Sequence, residues 1–292
     1  MASAEVPAPS SIDGAPTARS RRPAWVRSLD ITIPAGMLAL ILGACFLWPL
    51  IGPVPRPVGG SVMEASLPPL SPGHLLGTNQ VGNDVWSRLL YGGRASLEVA
   101  FAVTLIGFFL GGTLGALGGY IGGALDPVIM RILDMMIAFP ALVLALAIAQ
   151  SLGPSQLNTI WAISFFSVPA FARVARAATI QLRERPFMVA AKLSGTKNWR
   201  VLLRHVAPNI VPQLVTFALL GMGIIIIVSG ALSFLGLGIP PPHPSWGNMI
   251  SNGQDSLSVY PRLVLIPSIA LFITVLSFNL LGEALRARWS EQ

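Results

Sequence analysis

Charged residues are scarce in this sequence, and their scarcity excludes most soluble proteins. Only 11% of the 292 residues are Asp, Glu, Lys or Arg, whereas 53% are hydrophobic. A soluble globular domain carries about 25% charged residues. Several apolar runs have the length of roughly 20 residues that a helix needs to cross a bilayer. The sequence therefore predicts an all-α protein that spans a membrane several times.

The residue sets of common catalytic and metal sites are also lacking. The single cysteine, Cys45, lies in the first apolar run and has no second cysteine for a disulfide. The three histidines fall in separate segments, and no Gly-x-x-x-x-Gly-Lys-Ser/Thr phosphate loop is present. The spans contain no evident nucleophile–base pair. We therefore expect no catalytic residue, metal site or cofactor in this chain, so that any ATP-driven step requires a separate ATPase.

Six apolar runs are predicted to span the membrane, and basic residues set their orientation. The predicted spans are residues 33–51, 97–117, 132–152, 157–178, 210–232 and 263–281. All but four of the 19 Lys and Arg residues fall on the side that holds both termini and residues 183–208; the four are Arg56, Arg88, Arg94 and Arg262. Cytoplasmic loops are enriched in Lys and Arg. Both termini and residues 183–208 are therefore expected in the cytoplasm, and the net charge of +7 reflects topology rather than nucleic-acid binding.

The chain divides into a tail, a first span with its loop, and a core. Residues 1–28 are rich in Ala, Pro and Ser and lack the apolar core of a signal peptide. They are predicted to form a flexible cytoplasmic tail; a transit peptide is the alternative, which Glu5 and Asp13 disfavour. Residues 29–94 contain the first span and an external loop. Residues 95–289 form a core with five spans and a cytoplasmic loop at 183–208.

Glycine and proline predict close contacts and bends within the spans. Glycines recur every four residues along the second span, and small residues at this spacing let helices pack closely in lipid. Pro140 lies inside the third span and is expected to kink it. Arg173 and Arg176, at the end of the fourth span, are expected to extend toward the headgroups. The glycines are Gly107, Gly111, Gly115, Gly119 and Gly123.

Residues 183–208 form the most polar stretch between two spans. Pro186 can begin a helix, because a first-turn residue needs no N–H donor. Ala190 and Ala191 have small side chains that let another surface approach, and Gly195 is expected to break the helix. A second short helix is predicted at 197–206, and Pro208 is expected to begin the next membrane helix. The stretch is thus a basic helix–turn–helix, shaped for contact with a partner.

This stretch resembles the loop of ABC importer permeases in which a short coupling helix docks into a groove of a cytoplasmic ATPase. The family pattern is Glu-Ala-Ala, three residues, Gly, nine residues, and a hydrophobic stretch ending in Pro. Ala190, Ala191, Gly195 and Pro208 match, whereas Val189 stands where the family often has Glu. The resemblance implies that these residues, with Pro186, contact the ATPase.

A second stretch is similar to the C-type subunit of dipeptide and oligopeptide permeases. That family shows a Leu-Gly-Thr-Asp … Gly-Arg-Asp-Val … Ser-Arg … Tyr-Gly-Ala-Arg signature. Asn79 replaces its Asp and Asn83 its first Arg, which suggests that the two positions interact in relatives. The matching residues are Gly77, Thr78, Gly82, Asp84, Val85, Ser87, Arg88, Tyr91, Gly92 and Arg94.

A third stretch, residues 233–247, matches the same family. In that family this external region faces the solute-binding protein. Pro240 and Pro242 lie in a proline run predicted to be stiff and extended. Trp246 is interpreted in two ways, as an exposed anchor for the binding protein or as an interfacial residue that holds a helix end.

The resemblance covers residues 30–289 and implies the type I ABC importer permease fold. A peptide importer in the cytoplasmic membrane of a prokaryote is expected, in which this chain pairs with a homologous permease. ATPase subunits would bind ATP and Mg, and an external solute-binding protein would deliver the peptide. A nickel importer shares this architecture and is the first alternative. A secondary transporter is a weaker one, since four of the six spans lack a central ionisable residue.

Overall fold

The computed structural model describes residues 24–52 and 54–289, with side chains from residue 29 onward. Apart from one short 3₁₀ turn at Val62–Glu64 and two isolated β-bridges, regular structure in these ranges is helical. We number the helices in chain order. They are α1 Leu29–Ile51, whose backbone helix begins at Ala24, α2 Val85–Ile121, α3 Leu125–Met136, α4 Ala141–Leu152, α5 Gln156–Arg183, α6 Pro186–Leu193, α7 Asn198–Phe234, α8 Trp246–Gln254 and α9 Arg262–Trp289. The predicted tail at 1–28 lies largely outside the described residues.

Five of these helices are long and apolar enough to cross a membrane, namely α1, α2, α5, α7 and α9. The third predicted span, residues 132–152, is broken. Helices α3 and α4 are bent by 73° at a break, and together they pass the same test of length and composition. Pro140 precedes the first residue of α4 and is not inside a helix. The bend predicted at Pro140 is therefore a full interruption, and the six predicted spans correspond to five continuous helices and this pair.

Two predicted helix starts are wrong, because the helices are longer than the apolar runs. Helix α2 begins at Val85, capped by the Asp84 carboxylate, which accepts a hydrogen bond from the Ser87 N–H at 2.6 Å. Val85 and Leu90, in the first two turns of α2, are buried within the protein. Pro34 lies inside the first helix, which begins at Ala24 and not at residue 33.

Pro208 does not begin a new helix, contrary to the prediction. Helix α7 runs without a break from Asn198 to Phe234. A π-helical turn, Leu202–Val206, directly precedes the proline. Proline has no N–H to donate to the preceding turn, and π turns are a common local adjustment inside helices. The second short helix predicted at 197–206 is therefore the first part of a membrane helix.

The predicted glycine contacts join α2 to α5. A Cβ atom at Gly111 would overlap the carbonyl oxygen of Val168, and one at Gly115 would overlap that of Ala172. A Cβ atom at Gly107 would overlap the Ser167 side chain and one at Gly119 would lie 2.9 Å from the Arg176 carbonyl oxygen, whereas nothing lies within 4 Å of one at Gly123. The predicted close packing is thus confirmed for the first four glycines. Helix α5 also packs on α7, and α9 packs on α1 and α7.

Candidate functional site

The basic segment, residues 183–208, has the helix start and the turn that the sequence predicted. Pro186 occupies the first turn of α6. Gly195 adopts φ +70°, a conformation that suits glycine because it has no Cβ. The Gly195 N–H donates to the Lys192 carbonyl at 3.0 Å, and the Thr196 N–H donates to the Ala191 carbonyl at 3.2 Å. These two bonds close the end of α6 as a Schellman motif.

Several large apolar side chains of the basic segment are exposed. Leu193 is 84% exposed, and four further large apolar side chains are exposed in the same segment. Exposed apolar side chains that form a patch mark contacts with proteins or membranes. Of the residues predicted to touch an ATPase, Pro186, Val189, Ala190, Gly195 and Pro208 are all exposed. The four further apolar residues are Phe187, Val189, Trp199 and Leu203.

Ala191 differs from these residues in that it is buried. Its side chain is 9% exposed and packs in a buried cluster with Met188 and Val201. The small side chain of Ala191 therefore packs α6 onto the protein instead of facing solvent, and its contact with an ATPase stays a prediction. Ala190, one position earlier, points outward. A helix turns 100° per residue, so neighbouring positions face different surroundings.

The buried face of α6 connects the basic segment to three membrane helices. Met188 and Ala191 share a core cluster with Tyr120 of α2, Ala175 of α5 and Val206 of α7. Polar contacts add to it, since Lys192 Nζ lies 5.4 Å from the centre of the Tyr120 ring and the Tyr120 hydroxyl donates to Asn198 Oδ1 at 3.2 Å. The basic segment is therefore packed directly against α2, α5 and α7.

Two ion pairs near the basic segment were missed by sequence reasoning. Arg176 donates from Nε and Nη2 to the two carboxylate oxygens of Asp126, each at 2.6 Å. Arg173 Nη2 donates to Asp134 Oδ1, also at 2.6 Å. These arginines join α5 to α3 instead of extending toward headgroups, and Asp134 pairs with Arg173 instead of with Arg131, three residues earlier. Sequence separations of 39 and 50 residues hid both partners.

At the other end of α2, the predicted anchor Trp246 is buried. Its side chain is 2% exposed, and its Nε1–H donates to the Leu89 carbonyl at 3.0 Å. The Trp246 backbone N–H also donates to Ser96 Oγ at 3.3 Å. The exposed-anchor interpretation is therefore wrong, and the residue attaches the start of α8 to α2. A buried indole usually satisfies its N–H in this manner.

The proline run before α8 is only partly extended. Pro240 is half-buried, whereas Pro242 is exposed. The chain turns at Pro241 and Pro242, whose peptide bond is cis, so the predicted straight segment is not formed. Pro242 O accepts a hydrogen bond from Arg88 Nη1 at 3.3 Å. Pro242 thus remains available on the surface.

The first connection, residues 54–84, is attached by polar contacts. His74 Nδ1 lies 2.8 Å from Asp84 Oδ2, and Arg262 Nη2 donates to the Leu67 carbonyl at 2.7 Å. Asn79 Oδ1 accepts from the Asn83 N–H at 2.8 Å, so these two positions do contact each other in this chain. That they interact in relatives stays a prediction. Within the described part of the chain, no group of three His, Cys, Asp or Glu side chains could hold a metal ion.

Comparison with known proteins places this architecture in a family. Residues 104–290 match the family described as "Binding-protein-dependent transport system inner membrane component". The glutathione transport system permease protein GsiD of Pectobacterium atrosepticum is 41% identical over 216 residues, covering 74% of this chain and 72% of the relative. The dipeptide transport system permease protein DppC of Alkalihalophilus pseudofirmus is 42% identical over 213 residues, covering 73% and 70%.

A solved structure agrees on the fold. An inward-facing MetNI methionine ABC transporter superposes with a TM-score of 0.56, covering 70% of this chain and 96% of that chain at 18% identity. Together with the helices described above, this likeness identifies the fold as that of a type I ABC importer permease. The chain therefore belongs to the family of binding-protein-dependent transport system inner membrane components.

Proposed function

We propose that this chain is a permease subunit of an ATP-driven ABC importer that moves short peptides across the cytoplasmic membrane of a prokaryote. The observation that carries the proposal is the identity of 41–42% to permeases named for glutathione and dipeptide transport. The exposed apolar side chains of the basic segment support it, because exposed apolar surface marks contacts with other proteins. No observation favours the nickel importer.

The basic segment is proposed to dock on a cytoplasmic ATPase. Val189, Ala190 and Leu193 would form the contact, with Pro186 and Pro208 at its edges. The ATPase would bind ATP and Mg and hydrolyse the nucleotide, so the permease itself is not an enzyme. Because the buried face of α6 packs against α2, α5 and α7, movement of the ATPase would reach the membrane helices through this cluster.

The remaining partners follow from the topology of the family. A homologous permease would complete the translocation path, and an external solute-binding protein would deliver the peptide. Both termini and the basic segment would lie in the cytoplasm, since the side they share carries most of the Lys and Arg residues. Pro240 and Pro242, at the opposite end of α2 and α7, would then lie near the binding protein.

The proposed coupling is tested by bulk on the exposed face of α6. We expect Ala190→Trp to leave the permease folded but to lower ATP-dependent peptide uptake at least about tenfold, because a large side chain at a tight interface prevents docking. Uptake and ATPase activity would be measured in proteoliposomes that hold the whole assembly. Ala190→Ser, which keeps a small side chain at the same exposed position, is the control and is expected to leave uptake unchanged.

Normal uptake by Ala190→Trp would overturn the docking role of α6. Purification of the wild-type chain from its native membrane tests whether the chain has the proposed partner subunits. Co-purification of a second permease and an ATPase is expected. Recovery of this chain alone, with uptake that collapses when the proton gradient is removed, would replace the proposal with a secondary transporter.

A further inference from the structure

A cavity of about 550 Å³ lies at the end of the protein opposite the basic segment. It is bounded by the first connection, the proline run and the ends of α2, α8 and α9. Arg88, three residues from the start of the 37-residue helix α2, lines it, whereas Tyr120 at the other end of α2 contacts the basic segment. Sites for small molecules have volumes of roughly 300–1,000 Å³. The cavity has room for a ligand of a few amino-acid residues.

Arg88 brings an unpaired positive charge to this cavity. Its side chain is 7% exposed, and its Nη1 donates to the carbonyl oxygens of Pro57 at 2.9 Å and Pro242 at 3.3 Å. Both acceptors are neutral, and no ion pair of Arg88 within 4.0 Å occurs among the described residues. Buried charges are normally paired, because leaving water is costly for a lone ion. The guanidinium thus lacks a counter-ion, while its Nε and Nη2 groups remain to donate.

The rest of the cavity wall is suited to a peptide. Asp255, at the end of α8, is exposed and likewise forms no ion pair in the described ranges. Asn79 and Asn83 use their Oδ1 atoms to accept backbone N–H groups, which leaves their Nδ2 groups to donate. Asn252 adds another side-chain amide. One cation, one anion and several amides are the groups that complement a carboxylate, an ammonium and peptide bonds.

We propose that this cavity binds a short peptide with free termini. Arg88 donates hydrogen bonds to the terminal carboxylate, and Asp255 accepts them from the terminal ammonium. This inference deepens the proposed function and rests on it, since it gives the importer a receiving site on the permease itself. Arg88 also donates a hydrogen bond to the Pro242 carbonyl oxygen. A peptide bound to Arg88 would therefore be in indirect contact with the proline run.

Modified ligands test the proposal without altering the protein. The full chain, purified with its partner subunits but without the binding protein, would be titrated with trialanine, trialanine amide and N-acetyl-trialanine by calorimetry. We expect saturable binding of trialanine, and binding at least about tenfold weaker for each capped peptide, because each loses one charge-assisted contact. Equal binding of all three peptides, or no saturable binding of trialanine, would overturn the proposal.

Substitutions in and near the cavity test whether trialanine binds there. Asn252→Trp would fill the cavity and is expected to abolish trialanine binding, whereas Ser258→Trp, exposed nearby but outside the lining, is expected to leave it unchanged. Asp255→Asn is expected to weaken trialanine binding at least about fivefold and to leave that of N-acetyl-trialanine unchanged. If Asn252→Trp weakens only recruitment of the binding protein, the cavity is a protein contact and the proposal fails.

Measuring peptide uptake by the wild-type assembly distinguishes failure of the cavity proposal from failure of the proposed function. ATP-dependent peptide uptake without any trialanine binding at the cavity would overturn the cavity alone. Absence of uptake for every peptide supplied with the binding protein would overturn the proposed function.

Discussion

The absence of Cβ atoms at the glycines of α2 sets how closely α2 and α5 approach each other. A Cβ added at Gly115 would overlap the Ala172 carbonyl oxygen, so the two backbones are in direct contact there. Such contacts replace the hydrophobic effect, which does not drive helices together in lipid. The same two helices carry residues of the cluster that supports the basic segment, so their spacing bears on coupling.

A methyl group at this contact should therefore be costly. We expect Gly115→Ala to destabilise the protein by about 1–3 kcal/mol, because the Ala172 backbone must move away. Gly221→Ala is the matched control in α7, where nothing lies within 4 Å of the added Cβ; it should be neutral or slightly stabilising, since alanine favours helix. Thermal unfolding in detergent measures both. Equal melting temperatures for the two variants would contradict the assigned contact.

The two ion pairs between α3 and α5 differ in their surroundings. The Arg176 and Asp126 side chains are 35% and 16% exposed, and they share two hydrogen bonds. The Arg173 and Asp134 side chains are 52% and 53% exposed and share one. Exposed pairs contribute about 0–1 kcal/mol, whereas hydrogen bonds to charged groups in drier surroundings contribute about 1.5–3 kcal/mol.

Asp126→Asn should accordingly cost more stability than Asp134→Asn. The expected loss is about 1–3 kcal/mol for the first and less than about 1 kcal/mol for the second, because only the first leaves a half-buried arginine without its carboxylate. Chemical unfolding of the two variants gives the comparison. A double-mutant cycle with Arg176→Gln should then show coupling for Asp126 and none for Asp134. Equal losses of stability for the two substitutions would show that burial does not make the Arg176–Asp126 pair the stronger one.

At the scale of helices, the interruption between α3 and α4 distinguishes this span from the other five. Pro140 precedes α4, and the 73° bend leaves α3 as a separate helix whose charged side faces α5. An apolar run of this length predicts one straight span from composition alone. Pro140 marks the position of the break, and the two ion pairs fix α3 against α5.

At the scale of the whole molecule, the orientation in the membrane can be measured directly. Cys45 is buried, so Cys45→Ser provides a cysteine-free background. We expect Lys197→Cys in that background to react with a membrane-impermeant thiol reagent only after cells are opened, because the proposed topology places the basic segment in the cytoplasm. Ser258→Cys is the control from the opposite face and should react in intact cells. The reverse pattern would invert the proposed topology.

The sequence by itself determined the features that depend on local chemistry. Apolar length and the side chosen by Lys and Arg predict the spans and the family's topology. Pro186 and Gly195 predict the start and end of α6, because proline and glycine act on the backbone where they stand. The glycine repeat predicts a tight helix contact for the same reason.

Only the tertiary structure decided which side chains face the protein. It turned Ala191 and Trp246 inward, paired Arg176 with Asp126, and continued α7 through Pro208. It also gathered Arg88 and Asp255 at one cavity from segments far apart in the chain. These outcomes depend on contacts between residues distant in sequence, and such contacts leave no periodic or local pattern in a single chain.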